Sequence, residues 1–188
     1  DLTGTLTLSG SSITITDTVT ITGPGADALT LDANGQSRIF RIDDPLGKLT
    51  DAVFIEGLTL TGGNGGGGIG GAILASERLT IFKVNVTGNT SSLGGGVFAS
   101  ATLIVSESTF TDNTSFTGGG AIAFEPFLPE QLIVARTTIS GNTADGGGGV
   151  LVSGTSAGAT FIDSTISSNT SAFGGGGLSF YNGGTGSI

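Results

Sequence analysis

The chain repeats one short motif four times, as Val86-Thr-Gly-Asn89, Phe110-Thr-Asp-Asn113, Ile139-Ser-Gly-Asn142 and Ile166-Ser-Ser-Asn169. The four asparagines are separated by 24, 29 and 27 residues. An apolar, strand-like segment precedes each motif, and a glycine run and another apolar segment follow it. Periods of this size are typical of solenoids, in which each repeat is covered by its neighbours.

Aligning the four copies on their asparagines places apolar residues in three columns. The columns contain Ile81, Val105, Val134 and Phe161; Val86, Phe110, Ile139 and Ile166; and Val97, Ile122, Val150 and Leu178. Earlier segments such as Leu6-Thr-Leu8 and Ile13-Thr-Ile15 alternate in the same way, which indicates strands with one buried face. A coil of about 25 residues supplies the long crossover that parallel strands require.

These columns predict an all-β fold, a right-handed parallel β-helix of about seven three-stranded rungs. With strands about 4.8 Å apart, the rod would be roughly 34 Å long. Residues 1–188 are expected to form a single β-helix domain. Because the chain lacks Met and shows no capping segment at either end, we expect a piece of a longer protein or a fibre subunit that associates head to tail.

The repeats resemble those of a known group of surface proteins. Gly70-Gly-Ala-Ile73, Gly119-Gly-Ala-Ile122 and Phe110-Thr-Asp-Asn113 resemble the GGAI and FxxN repeats of chlamydial polymorphic outer-membrane proteins. More broadly, the chain resembles bacterial right-handed β-helix proteins related in fold to pectate lyases. The resemblance implies export, a location outside the cell or at its surface, and adhesion. Three of the four motifs here replace the aromatic residue of FxxN with Val or Ile.

Composition excludes several functions. The chain contains no Cys and no His, so a thiol nucleophile, a Ser-His triad and the commonest transition-metal ligands are absent. With 6 Lys+Arg and a net charge of −9, it has no basic stripe for nucleic acid. No apolar run approaches the length of a membrane span, so we expect no direct membrane insertion.

The recurring asparagines are predicted to form a structural ladder along the axis. Stacked Asn side chains can hydrogen-bond to one another, and Asn tolerates left-handed backbone conformations. The predicted ladder contains Asn64, Asn89, Asn113, Asn142 and Asn169. The glycine runs are predicted to form narrow turns in which Cβ atoms find little room.

A column of alternating charge is predicted six residues before the asparagines, at Lys83, Glu107, Arg136 and Asp163. It could be a catalytic row on a strand face, as in polysaccharide lyases. It could equally be a surface charge ladder whose contacts are worth about 0.2–1 kcal/mol each. The alternating signs favour the ladder, because an enzyme for acidic sugars would cluster like charges.

Small hydroxyl side chains flank the buried residue of the middle strand. They are Thr59, Thr61, Thr87, Thr109, Thr111, Thr138, Ser140, Thr165 and Ser167. Such an array resembles the threonine faces of β-solenoid ice-binding proteins. Thr is also favoured on any exposed strand face, because it is β-branched and polar.

A third group is acidic, with Asp32, Asp43, Asp44, Asp51 and Glu56 near Arg38, Arg41 and Lys48. Converging carboxylates could hold calcium or serve a lyase, but no acid recurs at a fixed spacing, which favours an ordinary solvated loop. No cofactor is expected, with calcium as the one candidate ion.

The predicted function is an extracellular or cell-surface structural and adhesive β-solenoid, whose partners would be glycans or cell-surface proteins.

The alternatives are a polysaccharide lyase or glycoside hydrolase, with its site near residues 43–51 and 125–131, and an ice-binding surface.

Overall fold

The computed structural model describes residues 2–44 and 52–187. Within these ranges the chain forms 25 β-strands, numbered β1 to β25 in chain order, which assemble into four sheets. The same ranges contain no helix of the length and apolar character that crossing a bilayer demands.

Three long sheets run the length of the molecule. Sheet 1 contains β1 (Gly4–Thr7), β4 (Leu29–Asp32), β7 (Thr59–Thr61), β10 (Asn85–Thr87), β14 (Thr109–Thr111), β18 (Thr138–Ser140) and β22 (Thr165–Ser167). Sheet 2 contains β2 (Ile13–Ile15), β5 (Phe40–Ile42), β8 (Ile73–Ala75), β12 (Val97–Ala99), β16 (Ile122–Phe124), β20 (Val150–Ser153) and β24 (Leu178–Tyr181). Sheet 3 contains β3 (Val19–Thr22), β6 (Ala52–Glu56), β9 (Arg78–Phe82), β13 (Leu103–Ser106), β17 (Glu130–Ala135), β21 (Ala157–Ile162) and β25 (Thr185–Ser187).

A fourth, short sheet contains β11 (Thr90–Leu93), β15 (Thr114–Gly118), β19 (Thr143–Ala144) and β23 (Thr170–Ser171). The predicted three-stranded rung is therefore incomplete in these coils, because a fourth strand follows each asparagine. This segment is mostly polar and shows no apolar alternation, so the sequence pattern did not reveal it. Stacked coils pair their backbones whatever the side chains are, and Thr90 pairs with Thr114 and Thr114 with Thr143.

Seven strands in each long sheet confirm the prediction of about seven coils, and every pairing between them is parallel. The chain passes from sheet 1 to sheet 2 to sheet 3 and then begins the next coil one strand further along. A residue therefore lies beside the residue one period away in the sequence.

The predicted apolar columns are confirmed and form one continuous core. In sheet 1, Val86 pairs with Phe110, Phe110 with Ile139, and Ile139 with Ile166. The first three are fully buried, whereas Ile166 is half-buried because it belongs to the last strand of its sheet. Burying each such side chain stabilises the fold by about 1.5–3 kcal/mol. Because burial is complete only where a coil has a neighbour on both sides, the inner coils gain the most from it.

Tight turns at the ladder use a left-handed residue, but not the one predicted. Positive φ falls on the residue before each asparagine, with values of 65° at Gly88, 55° at Asp112 and 69° at Gly141. The asparagines themselves are not left-handed, so that part of the prediction is wrong. The preceding residue takes up the strained conformation and turns the Asn side chain inward, where it is buried.

Candidate functional site

The asparagine ladder runs through the interior between sheet 1 and the short sheet. Asn89 donates from Nδ2 to Oδ1 of Asn113 at 2.9 Å, Asn113 to Asn142 at 2.9 Å, and Asn142 to Asn169 at 2.9 Å. Each backbone N–H donates to the same oxygen, at 2.9–3.1 Å. Each Nδ2 also reaches a backbone carbonyl of the preceding coil, such as that of Val86 for Asn113. The side-chain amides therefore provide hydrogen-bond partners for buried backbone N–H and C=O groups at four successive turns.

Asn64 does not belong to this ladder, and the prediction is corrected by one residue. Asn64 lies beside Thr90, so the ladder position of its coil is occupied by Gly63, whose N–H donates to Oδ1 of Asn89 at 2.7 Å. The side chain of Asn64 is exposed and contacts Gly35 O and Gly66 N instead. The pairing of Leu60 with Val86 sets this register.

The hydroxyl residues lie in two columns on the outer face of sheet 1. One column contains Thr59, Asn85, Thr109, Thr138 and Thr165, and the other Thr61, Thr87, Thr111, Ser140 and Ser167. The pairings of β1 and β4 extend them through Thr5 and Thr30, and through Thr7 and Asp32.

Sequence reasoning missed this extension because the first two coils lack the asparagine motif. Most of the array is half-buried, and its exposed members are Thr5, Thr7, Thr138, Thr165 and Ser167. Thr59 donates its hydroxyl to Ala26 O at 2.7 Å, so the loop at 23–27 contacts the first column at β7, the third strand of the sheet.

The charged column lies at the turn between sheet 3 and sheet 1 rather than on a strand face. Lys83, Glu107, Arg136 and Asp163 all have positive φ, between 47° and 52°. None of the four therefore lies on the strand face on which a catalytic row was envisaged. Glu107 lies between two cations, 3.8 Å from Lys83 Nζ and 3.2 Å from an Arg136 nitrogen.

The acidic group around residues 32–56 is spread over three sides of the coil. Asp43 forms an ion pair with Arg41 at 2.6 Å. Asp32 accepts the N–H of Asn34 on sheet 1, and Glu56 accepts the Thr22 hydroxyl on sheet 3. Lys48 and Asp51 lie outside the described residues. Among those described, no group of three or more His, Cys, Asp or Glu is placed to hold a metal ion.

A groove that sequence reasoning did not identify lies where the short sheet meets the outer face of sheet 2. It encloses about 430 Å³. Its lining consists of Leu93, Thr117, Glu125, Asp145, Gly146, Leu151, Ser153, Phe173, Gly174, Ser179, Tyr181 and Asn182. We call it the corner groove. A β-carbon on Gly118 would collide with the Leu151 side chain, so a glycine in β15 lets Leu151 pack against the short sheet and form the floor.

Aromatic rings and carboxylates converge on the corner groove. Phe173 is 88% exposed and Tyr181 64% exposed, which leaves both rings free to contact a ligand. Burial raises the pKa of the Glu125 carboxyl, and a hydrogen bond from Ser153 partly opposes the shift. Such a mixture of apolar surface with a few polar groups is typical of small-molecule and saccharide sites.

One sequence signal could have indicated the corner groove. The strands of sheet 2 are apolar without alternation, as in Val97-Phe-Ala99 and Ile122-Ala-Phe124, which is typical of strands covered on both faces. Phe98 points away from the core, yet it is only 7% exposed.

Comparison with known proteins identifies a family. The model of the family described as the right-handed β-helix region matches residues 3–188. This match supports the predicted handedness. No curated protein and no solved structure gives a significant match to this chain.

Proposed function

Because this chain belongs to the right-handed β-helix family, we propose that it is an extracellular or cell-surface scaffold that binds neutral glycans in its corner groove. The single observation that carries the proposal is the pair of exposed rings, Phe173 and Tyr181, beside the Glu125 carboxyl. The C–H face of a sugar packs against an aromatic ring as apolar surface, and carboxylates accept hydrogen bonds from its hydroxyls.

Charge favours neutral over acidic glycans. Glu125 and Asp145 line the corner groove, none of the described Lys or Arg side chains does, and the chain carries a net charge of −9. A polyuronate would meet repulsion there, whereas the hydroxyls of a neutral sugar would find acceptors. The resemblance of Gly70-Gly-Ala-Ile73 to chlamydial surface-protein repeats supports the proposed location. Immunogold labelling of intact source cells tests it, with label expected on the cell surface.

The binding experiment compares neutral and uronate oligosaccharides on a glycan array, followed by calorimetry with each neutral ligand found. The double variant Phe173→Ala/Tyr181→Ala is expected to weaken binding at least tenfold. Phe127→Ala is the matched control, because Phe127 is 94% exposed but does not line the corner groove. Equal loss in both variants, or binding of uronates alone, would overturn the proposal.

A second candidate function is glycoside hydrolysis, favoured by the raised pKa of Glu125. A carboxyl that stays protonated to higher pH can protonate a leaving-group oxygen, and Asp145 supplies a second carboxylate in the corner groove. Release of reducing ends, abolished by Glu125→Gln with binding retained, would support hydrolysis. Release of unsaturated products would indicate a lyase.

A third candidate is ice binding, favoured by the two hydroxyl columns of sheet 1. Each column passes through all seven strands of that sheet and has a hydroxyl at six of them, with Asn85 interrupting one column and Asp32 the other. Inhibition of ice recrystallisation that is lost in Thr111→Lys, but kept in Phe173→Ala/Tyr181→Ala, would assign the activity to this face.

A further inference from the structure

The outer face of sheet 3 carries several large apolar side chains among polar ones. Its outward side chains include Phe54, Phe82, Ile104, Ile133 and Ile162, which are half-buried or, for Ile162, 46% exposed. The rings of Phe54 and Phe82 lie 6.4 Å apart, so the side chains form one patch across neighbouring coils. Contiguous apolar patches of this kind mark interaction surfaces.

The charged column borders this patch. Lys83 lies with Nζ 4.8 Å from the centre of the Phe82 ring, which places its charge at the edge of the apolar face. Glu107, Arg136 and Asp163 occupy the same turn in the three following coils. Along the axis the signs therefore read positive, negative, positive, negative.

When this order of charges is reversed along the axis, every position carries the opposite sign. A two-fold axis parallel to the strands, passing between the coils of Glu107 and Arg136, turns the column over onto that of a second copy. Lys83 then faces Asp163 of the second copy, and Glu107 faces Arg136. Two copies with parallel solenoid axes would instead place their charged columns at opposite edges of the paired faces, where the columns do not meet.

The apolar patch has the same symmetry. Its two columns are Thr80, Ile104, Ile133 and Thr160, and Phe82, Ser106, Ala135 and Ile162. The same axis places Ile104 opposite Ile133 and Phe82 opposite Ile162, while Thr80 faces Thr160. Ser106 then faces Ala135, and Phe54, one coil further out, faces Ser187. The central apolar contacts and the charge contacts therefore fit the same arrangement.

We propose that the outer face of sheet 3 binds the same face of a second copy of this chain, with the two solenoid axes antiparallel. The two sheets would pack about 10 Å apart, as stacked sheets do. The corner groove lies on sheet 2 and the short sheet, so pairing leaves it open. This inference does not depend on the proposed glycan function.

Sedimentation velocity of the full chain over a concentration series tests the proposal with charge variants. Glu107→Arg places two cations opposite each other twice per dimer, and Arg136→Glu does the same with anions. Each is expected to raise the dissociation constant at least tenfold. The double variant Glu107→Arg/Arg136→Glu restores opposite charges across the axis and is expected to restore the dimer.

A mixture of the two single variants separates pairing between copies from pairing within one chain. Across the axis each contact then joins an arginine of one variant to a glutamate of the other, whereas neither chain regains its own ion pair between positions 107 and 136. A dimer of the two different variants is therefore expected, and a role within the chain alone would not produce it. Arg41→Glu on sheet 2 is the control and is expected to leave the dimer unchanged. Circular dichroism establishes that each variant is folded.

Zero-length carbodiimide cross-linking gives a second readout. Within one chain Lys83 and Asp163 are three coils apart, about 14 Å at strand spacing, which is too far for a direct amide. A cross-linked peptide pair joining Lys83 to Asp163 in the dimer band is therefore expected. A monomer at every concentration, a dimer without this link, or no rescue by the double variant would overturn the proposal.

Discussion

Replacing Asn113 with Ala is expected to destabilise the β-helix far more than the same change at Asn64. The Asn113 side chain is fully buried and makes four hydrogen bonds. Its Nδ2 donates to Val86 O and to Asn142 Oδ1, and its Oδ1 accepts from the backbone and side chain of Asn89. Alanine removes all four and leaves the buried N–H of Asn89 without its acceptor.

At about 1 kcal/mol of net stability for each bond, Asn113→Ala is expected to cost about 4 kcal/mol, with the stranded donor adding to it. Asn64 is exposed, and its side chain contacts Gly35 O and Gly66 N. Water replaces those contacts, so Asn64→Ala is expected to cost about 1 kcal/mol or less.

Asn113→Asp adds a pH-dependent readout. Aspartate keeps the acceptor for Asn89 but loses both donations and buries a charge against Asn142 Oδ1, so its folded pKa rises above about 3.9. The stability of this variant relative to wild type is therefore greatest below the unfolded pKa and is lost as pH rises through the folded pKa.

Urea denaturation followed by circular dichroism measures these differences, and hydrogen exchange at the Asn89 amide reports the local effect. A cost for Asn113→Ala no greater than that for Asn64→Ala would refute the reasoning, as would an Asn113→Asp variant whose relative stability does not change with pH.

Three further predictions concern packing and the corner groove. Gly95→Ala is expected to lower the free energy of unfolding, measured by urea denaturation, by about 1–3 kcal/mol, because a β-carbon there would collide with the carbonyl oxygen of Gly120. A β-carbon on Gly67 would meet none of the described atoms, so Gly67→Ala is expected to change this free energy by less than about 0.5 kcal/mol. Phe110→Ala is expected to cost about 3–5 kcal/mol by the same measurement, since its ring is fully buried in the core of a central coil. The pKa of Glu125 is higher in the folded state, so this carboxyl contributes stability below its unfolded pKa, and that stability is lost as pH rises through the folded pKa. Glu125→Gln is therefore expected to make the melting temperature less dependent on pH in this window. A variant with the same pH profile as wild type would contradict the raised pKa.

The ladder and the coil count were predictable because a solenoid converts sequence period into spatial contact. Val86, Phe110 and Ile139 recur at the same offset from their asparagines, and parallel stacking brings them together in that order. Asn64 shows the limit of this reasoning. It stands four residues after the buried Leu60 rather than three, and apolar pairing in the core decides register ahead of the identity of a turn residue.

The amino-acid sequence by itself determined the parallel β-helix, its seven coils, the buried columns and the asparagine stack, because each depends on a repeat along the chain. Only the tertiary structure revealed the short sheet, the corner groove and the position of the charged column at the edge of sheet 3. These features depend on the angles at which strands meet at the corners of a coil and on which side chains then share a surface. Leu151 and Phe173 become neighbours across a concave corner that no period in the sequence encodes.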